Sequence, residues 1–152
     1  MTLDGRVALV TGAGRNIGKA IALGLARDGA AVIVNARSNR EEAEAVARQI
    51  RDAGGRASAM LADVSDRAAL QAMLDEALAA YGGIDIVVNN AATRPSKEFL
   101  DMTYEDWRDV MAMDLDAAFI TARAAAPGMV ERGWGRIINL SGLSAFQGGH
   151  EG

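Results

Sequence analysis

Short apolar runs rich in β-branched residues alternate along this chain with longer, Ala-rich stretches whose apolar positions recur at helical spacing. The first run, RVALVTG (6 to 12), is continuously apolar, as a strand covered on both faces must be. It is followed by IGKAIALGLARDG (17 to 29), which has helical periodicity and ends on a glycine suited to a helix C-terminus. The unit then repeats. AAVIVNA (30 to 36) precedes a helix over EEAEAVARQIRDAGG, ASAMLADV (57 to 64) precedes one over DRAALQAMLDEALAAYGG, and IDIVVNNA (84 to 91) supplies a fourth strand. An irregular stretch, ATRPSKEFLDM, leads into a long helix from about Tyr104 to Arg132 and then a fifth strand, RIINLSG (136 to 142). Thr103 is placed to cap that helix and Asp106 adds favourable first-turn charge, while Pro127 is expected to kink its later turns or divide it.

Strands joined through helices predict an α/β fold with an open, doubly wound parallel sheet of about five strands, in which ligands sit beyond the carboxyl ends of the strands. Thr11, Asn35, Asp63, Asn89 with Asn90, and Ser141 fall at those ends. Turn chemistry explains any one of them. A polar residue closing each of five apolar strands predicts a ligand crevice.

Composition narrows the field. The chain has 152 residues, 50% of them hydrophobic and 24% charged, which is ordinary usage for one globular domain over 1–152 and argues against wholesale disorder. A net charge of -4 without a basic tract gives no footprint for nucleic acid or an anionic membrane. There is no Cys and one His, His150, so disulfides, thiol nucleophiles, Cys-based zinc sites and clustered-His metal sites are excluded. The opening MTLDGRVALVTG lacks the features of a signal peptide, and no run of apolar residues is long enough to span a bilayer. The expectation is a soluble cytoplasmic protein.

Candidate chemistry begins at the first strand-to-helix turn. Gly12, Gly14 and Gly18 lie there, where missing Cβ atoms allow backbone to approach a pyrophosphate and helix N-terminal N–H groups can bind it. A phosphate loop for ATP is the rival suggested by Gly18-Lys19. It fails because Ala13 stands where that loop starts on Gly, and Ala20 replaces the magnesium-binding Ser/Thr.

With TGAGRNIG (11 to 18) and NNAA (89 to 92) in order and correctly spaced, the chain resembles the short-chain dehydrogenase/reductase family, particularly its 3-oxoacyl-carrier-protein-reductase-like members. The resemblance runs from GRVALVTG to GRIINLSG and implies a Rossmann-type fold that transfers hydride between a nicotinamide cofactor and a carbonyl or alcohol substrate. It implies cofactor contacts from the glycine turn, Gly12 through Gly18 with Arg15, Asn16 and Ile17, and from Asn90, Ala91 and Ala92. Asn16 replaces the family's middle Gly, and Asn tolerates left-handed backbone better than most residues.

The second strand ends NAR, without the acid that commonly receives the ribose hydroxyls of NAD. Arg37 beyond that strand and Arg15 in the turn are placed to flank a 2′-phosphate, with Ser38 offering a hydroxyl, so NADP is expected over NAD. Asp63 and Val64 match the family's adenine-contacting pair, with a turn role for Asp63 as the alternative.

The family reduces carbonyls with a Ser, a Tyr, a Lys and a helix Asn. A Tyr, whose free pKa is about 10, needs the cationic neighbour to act as an acid near neutrality. That Tyr-x-x-x-Lys pair belongs beyond the strand holding Ser141, and Gly152 is reached before it; Tyr81 and Tyr104 have no Lys four residues on. The family's Asn position is occupied by Asp114, inside an apolar stripe of Trp107, Val110, Met111, Leu115, Ala118 and Phe119. A carboxylate on a buried face flags a functional site unless it reaches a solvated edge. The family's Ser aligns with Gly142, leaving Ser141 and Ser144 as hydroxyls that either substitute for it or serve the turn.

Three readings follow: an NADP-dependent oxidoreductase, a nucleotide-binding module without catalysis, or a fragment whose exposed sheet edge prevents stable binding. The resemblance implies a dimer or tetramer acting on a small carbonyl or alcohol.

Overall fold

The computed structural model describes residues 2–142, and within them the expected strand and helix alternation forms one sheet. Its strands are β1 (Val7–Val10), β2 (Ala31–Ala36), β3 (Ala57–Leu61), β4 (Ile86–Asn89) and β5 (Arg136–Asn139), all parallel in the order β3-β2-β1-β4-β5. The order reverses between β1 and β4, which opens a crevice above their carboxyl ends. Helices α1 (Asn16–Arg27), α2 (Arg40–Asp52) and α3 (Arg67–Tyr81) make the first crossovers.

The sheet is covered because its side chains alternate between faces. Leu9, Ile33 and Val87 join Leu70 and Leu74 of α3 in one core, whereas Val10, Val32, Val34 and Val88 join Val46 and Ile50 of α2 in the other. β1 is therefore buried along its whole length, as its unbroken apolar run requires. β5 is different. Among the described residues it pairs only with β4, and Ile137 and Ile138 remain exposed.

The predicted long helix is three elements: α4 (Tyr104–Met111), a π-helical turn (Ala112–Asp116) and α5 (Ala117–Glu131). The irregularity lies at the π-turn, and Pro127 sits inside α5 without dividing it. Proline removes one N–H bond from the ladder, a local loss that the surrounding turns and the packing of Ala125 and Met129 carry. Thr103 caps α4, as its position predicts, and Asp106 reaches back to complete a capping box. The Lys97 ammonium, together with Thr103 N–H and hydroxyl, holds the Asp106 carboxyl down at about 2. This lowered value means that the cap is formed above the ordinary carboxylate range and is lost only as pH falls toward 2.

The apolar stripe on this helix is not a buried face. Trp107, Leu115 and Phe119 are 51%, 55% and 63% exposed, because α3 and β4 meet α5 on its other side, through Ala117, Thr121 and Ala125. Asp114 is accordingly exposed and carries no burial penalty.

At the opposite end of the sheet, Asp85 is buried just before β4. It accepts from Val7 N at 3.0 Å and Arg132 Nε at 3.1 Å and lies 3.6 Å from an Arg6 guanidinium nitrogen. Arg6 also stacks on Trp134, so this cluster ties β1, β4 and the end of α5 together.

Candidate functional site

The turn after β1 is built for close packing. Gly12 has φ +62, and the carbonyl it presents is covered by Gly18. A Cβ on Gly18 would meet that carbonyl and would also come within 2.6 Å of Asn90 Nδ2 and 2.9 Å of Ala13 Cα. Asn16 adopts φ 49, so Asn supplies the left-handed conformation that the turn requires. It is the sole non-glycine residue with positive φ among those described.

Polar side chains hold the turn against the sheet. Thr11 Oγ1 accepts from the N–H groups of Asn90 and Ala91, both at 3.0 Å, and Asn90 Nδ2 donates to Thr11 O and Gly12 O. Asn35 Oδ1 accepts from Gly12 N, while its amide nitrogen donates to the carbonyls of Met60 and Ala62. Thr11 and Asn35 are thus fixed within the fold, and Asn90 acts through its side chain as a buttress as well as through the bare backbone beside it.

Above this turn lies a cleft of about 710 Å³. It brings together Gly12, Gly14, Arg15, Asn16, Ile17 and Gly18 from the turn, Arg37 and Ser38 from beyond β2, Val64, and Asn90, Ala91 and Ala92. Asp63 stands beside the cleft lining, and its Oδ1 accepts from Ser65 N and Oγ in a tight turn. The wall there comes from its neighbours Ala62 and Val64.

A second cleft of about 560 Å³ adjoins the first through shared Ile17, Val64, Asn90, Ala91, Ala92 and Arg94. Ser141, Gly142 and Asp114 line it together with Asn89 and Asn139. Asp114 Oδ1 accepts from Thr93 N at 2.9 Å, which ties the π-turn to the segment leaving β4. Ser144 and His150 lie outside the described residues. Asn39, Glu42 and Arg94 also line the clefts and were missed by sequence reasoning. Asn39 and Glu42 had a readable signal, a capping residue followed three positions later by an acid; nothing short of the fold places Arg94.

The donors and the space fit a dinucleotide. The N-cap of α1, Arg15, makes no side-chain cap and the first turn holds no acid, whereas α2 and α4 each have a side-chain cap and two first-turn acids. Its first N–H groups are therefore open to an anion. Gly12 and Gly14 leave backbone bare beside them, Gly18 lets the helix pack on the Gly12 carbonyl, and Arg15 and Arg37 make no ion pair among the described residues. No group of His, Cys, Asp and Glu among those residues is arranged to hold a metal ion.

A parallel sheet with a glycine turn at its switch point defines a Rossmann-type nucleotide-binding fold. The sequence model for short-chain dehydrogenases matches residues 6–152, and the chain belongs to that family. It is 40% identical over 148 residues to the hydroxynaphthalene reductase-like protein Arp2 of Metarhizium robertsii, covering 97% of this chain and 55% of that protein. It is 39% identical over 136 residues to the 3-oxoacyl-acyl-carrier-protein reductase FabG of Staphylococcus aureus, covering 90% of this chain and 55% of that one. Among solved structures, a metagenomic short-chain oxidoreductase in complex with NADP superposes with a TM-score of 0.88 at 40% identity, over 95% of this chain and 65% of that one. The chain spans about half the length of the curated relatives it matches.

Proposed function

We propose that residues 1–152 form the dinucleotide-binding domain of a cytoplasmic NADP-dependent oxidoreductase acting on a ketone or alcohol, 3-oxoacyl-like in class. The observation that carries this reading is the uncapped, acid-free start of α1 beside the bare backbone of Gly12 and Gly14, in one cleft with Arg15 and Arg37. When bound, the nicotinamide cofactor supplies or accepts hydride at a carbonyl carbon. In this reading the first N–H groups of α1 bind the pyrophosphate, Arg15, Arg37 and Ser38 surround the adenine ribose, and Val64 walls the adenine. Ala91 and Ala92 let the cofactor lie against backbone, and Ser141 in the adjoining cleft orients the substrate oxygen.

The test is NADPH oxidation on a panel of 3-oxoacyl thioesters and aromatic ketones, followed by loss of nicotinamide absorbance. It requires a chain that includes the Tyr-x-x-x-Lys segment. Turnover supports the oxidoreductase. NADPH binding with no turnover on any member supports a second reading, a nucleotide-binding module without catalysis. That reading is favoured by Asp114, whose carboxylate accepts where the family's Asn also donates.

The exposed Trp107, Leu115 and Phe119 on α4, the π-turn and α5 support assembly into a homo-oligomer through this face. Light scattering on the purified protein is expected to give a dimer or tetramer; a monomer at high micromolar concentration would count against it.

A further inference from the structure

Glu42 is a negative charge inside the cleft that the two free arginines define. It is the third residue of α2, where a Glu commonly reaches back to the N–H of the capping residue. Here only half of that reciprocal pair forms: Asn39 Oδ1 accepts from Glu42 N at 3.1 Å, and the Glu42 side chain turns instead toward the glycine turn. Its Cβ and Oε2 stand 3.3 Å and 3.5 Å from where a Cβ of Gly14 would be. The carboxylate thus lines the same cleft as Arg15, Arg37, Ser38 and Asn39, without an ion pair to either arginine.

We infer that Glu42 sets cofactor choice from this position, accepting from the ribose hydroxyls of NAD(H) while opposing the 2′-phosphate of NADP(H), so that the cleft takes both cofactors. The inference rests on the cofactor reading proposed above. Its physical basis is a sign difference. A hydroxyl donates to a carboxylate, whereas a phosphate has no proton to offer it near neutrality and is repelled. Arg15 and Arg37 attract the phosphate, and Glu42 subtracts from that attraction. The carboxylate thereby restores, from the first turn of α2, an acceptor that the end of β2 lacks.

The experiment is a fluorescence titration of the full chain with NADPH and with NADH, for the parent, E42Q and E42A, with a thermal melt of each. The parent is expected to bind both. E42Q and E42A are expected to tighten NADPH and weaken NADH, moving the ratio of the two dissociation constants by about tenfold toward NADPH. A parent that binds NADPH while both variants leave the ratio unchanged overturns the inference and leaves the cofactor reading intact. Equal weakening of both cofactors also overturns it, being the signature of a purely structural role. A parent that binds neither cofactor overturns the cofactor reading and this inference with it.

Discussion

Gly18→Val is expected to abolish detectable NADPH binding while leaving the chain able to fold. The new Cβ would meet the Gly12 carbonyl and approach Asn90 Nδ2 at 2.6 Å and Ala13 Cα at 2.9 Å, none of which is the free end of a flexible side chain. Asn90 is already committed to Thr11 O and Gly12 O, so it cannot step aside without releasing the turn from β4. The start of α1 must move outward, carrying its N–H groups away from the bare backbone of Gly12 and Gly14. Overpacking of this kind costs about 1–3 kcal/mol of stability. The loss of binding is expected to be larger, about 100-fold or more, because several pyrophosphate hydrogen bonds depend on one helix start. Titration with NADPH checks it, and a circular dichroism melt separates lost binding from lost fold. Near-parental affinity in a folded G18V chain would show that the phosphate does not sit at this turn.

Asp85→Ala is expected to produce a large loss of stability without touching the cleft. Asp85 is 5% exposed, and its removal leaves Val7 N–H without an acceptor inside the sheet and the Arg132 guanidinium without its carboxylate. Water reaches the Arg132 guanidinium, whose side chain is 34% exposed, so the cost is mainly that of the unpaired N–H, about 1–3 kcal/mol. For a chain of this length that corresponds to a fall in Tm of roughly 5 °C. Asp85→Asn keeps an acceptor for Val7 N–H and is expected to lose less. A fall of only a degree or two in D85A, measured by calorimetry, would mean that the cluster is dispensable. Asp85 lies at the end of the sheet away from the glycine turn, so NADPH affinity measured well below the transition should stay near parental.

The difference between these two positions shows what a sequence can and cannot display. Gly18 was legible because its role depends on local order: a strand, a turn and a helix written consecutively, with glycines at fixed offsets. The same holds for the cap at Thr103 and for the left-handed backbone at Asn16. Asp85 was not legible, because its partners come from two distant segments, Arg6 with Val7 and Arg132, and meet it only when the sheet closes. The apolar stripe around Asp114 misled for a related reason. Periodicity shows which residues share a helix face, but it does not say which face meets the core, and here the core took Ala117, Thr121 and Ala125 instead. Pro127 was expected to kink or divide the helix, and it does not divide it, since α5 runs on to Glu131. Asp63 had two roles available, and the fold shows its Oδ1 engaged in the turn with Ser65. Glu42 combined both situations: its place in a helix start was readable, while its approach to Gly14 needed the crossover from β2 to α2.

Thermal denaturation of the chain with and without NADPH asks whether the cleft above the β1 to α1 turn binds a nicotinamide dinucleotide. Ligand that binds the native state alone must stabilise it, by about 2.7 kcal/mol at a hundred times its dissociation constant. Tm is expected to rise by several degrees and to saturate with NADPH concentration. No shift at millimolar NADPH, in a chain that melts cooperatively, would contradict it.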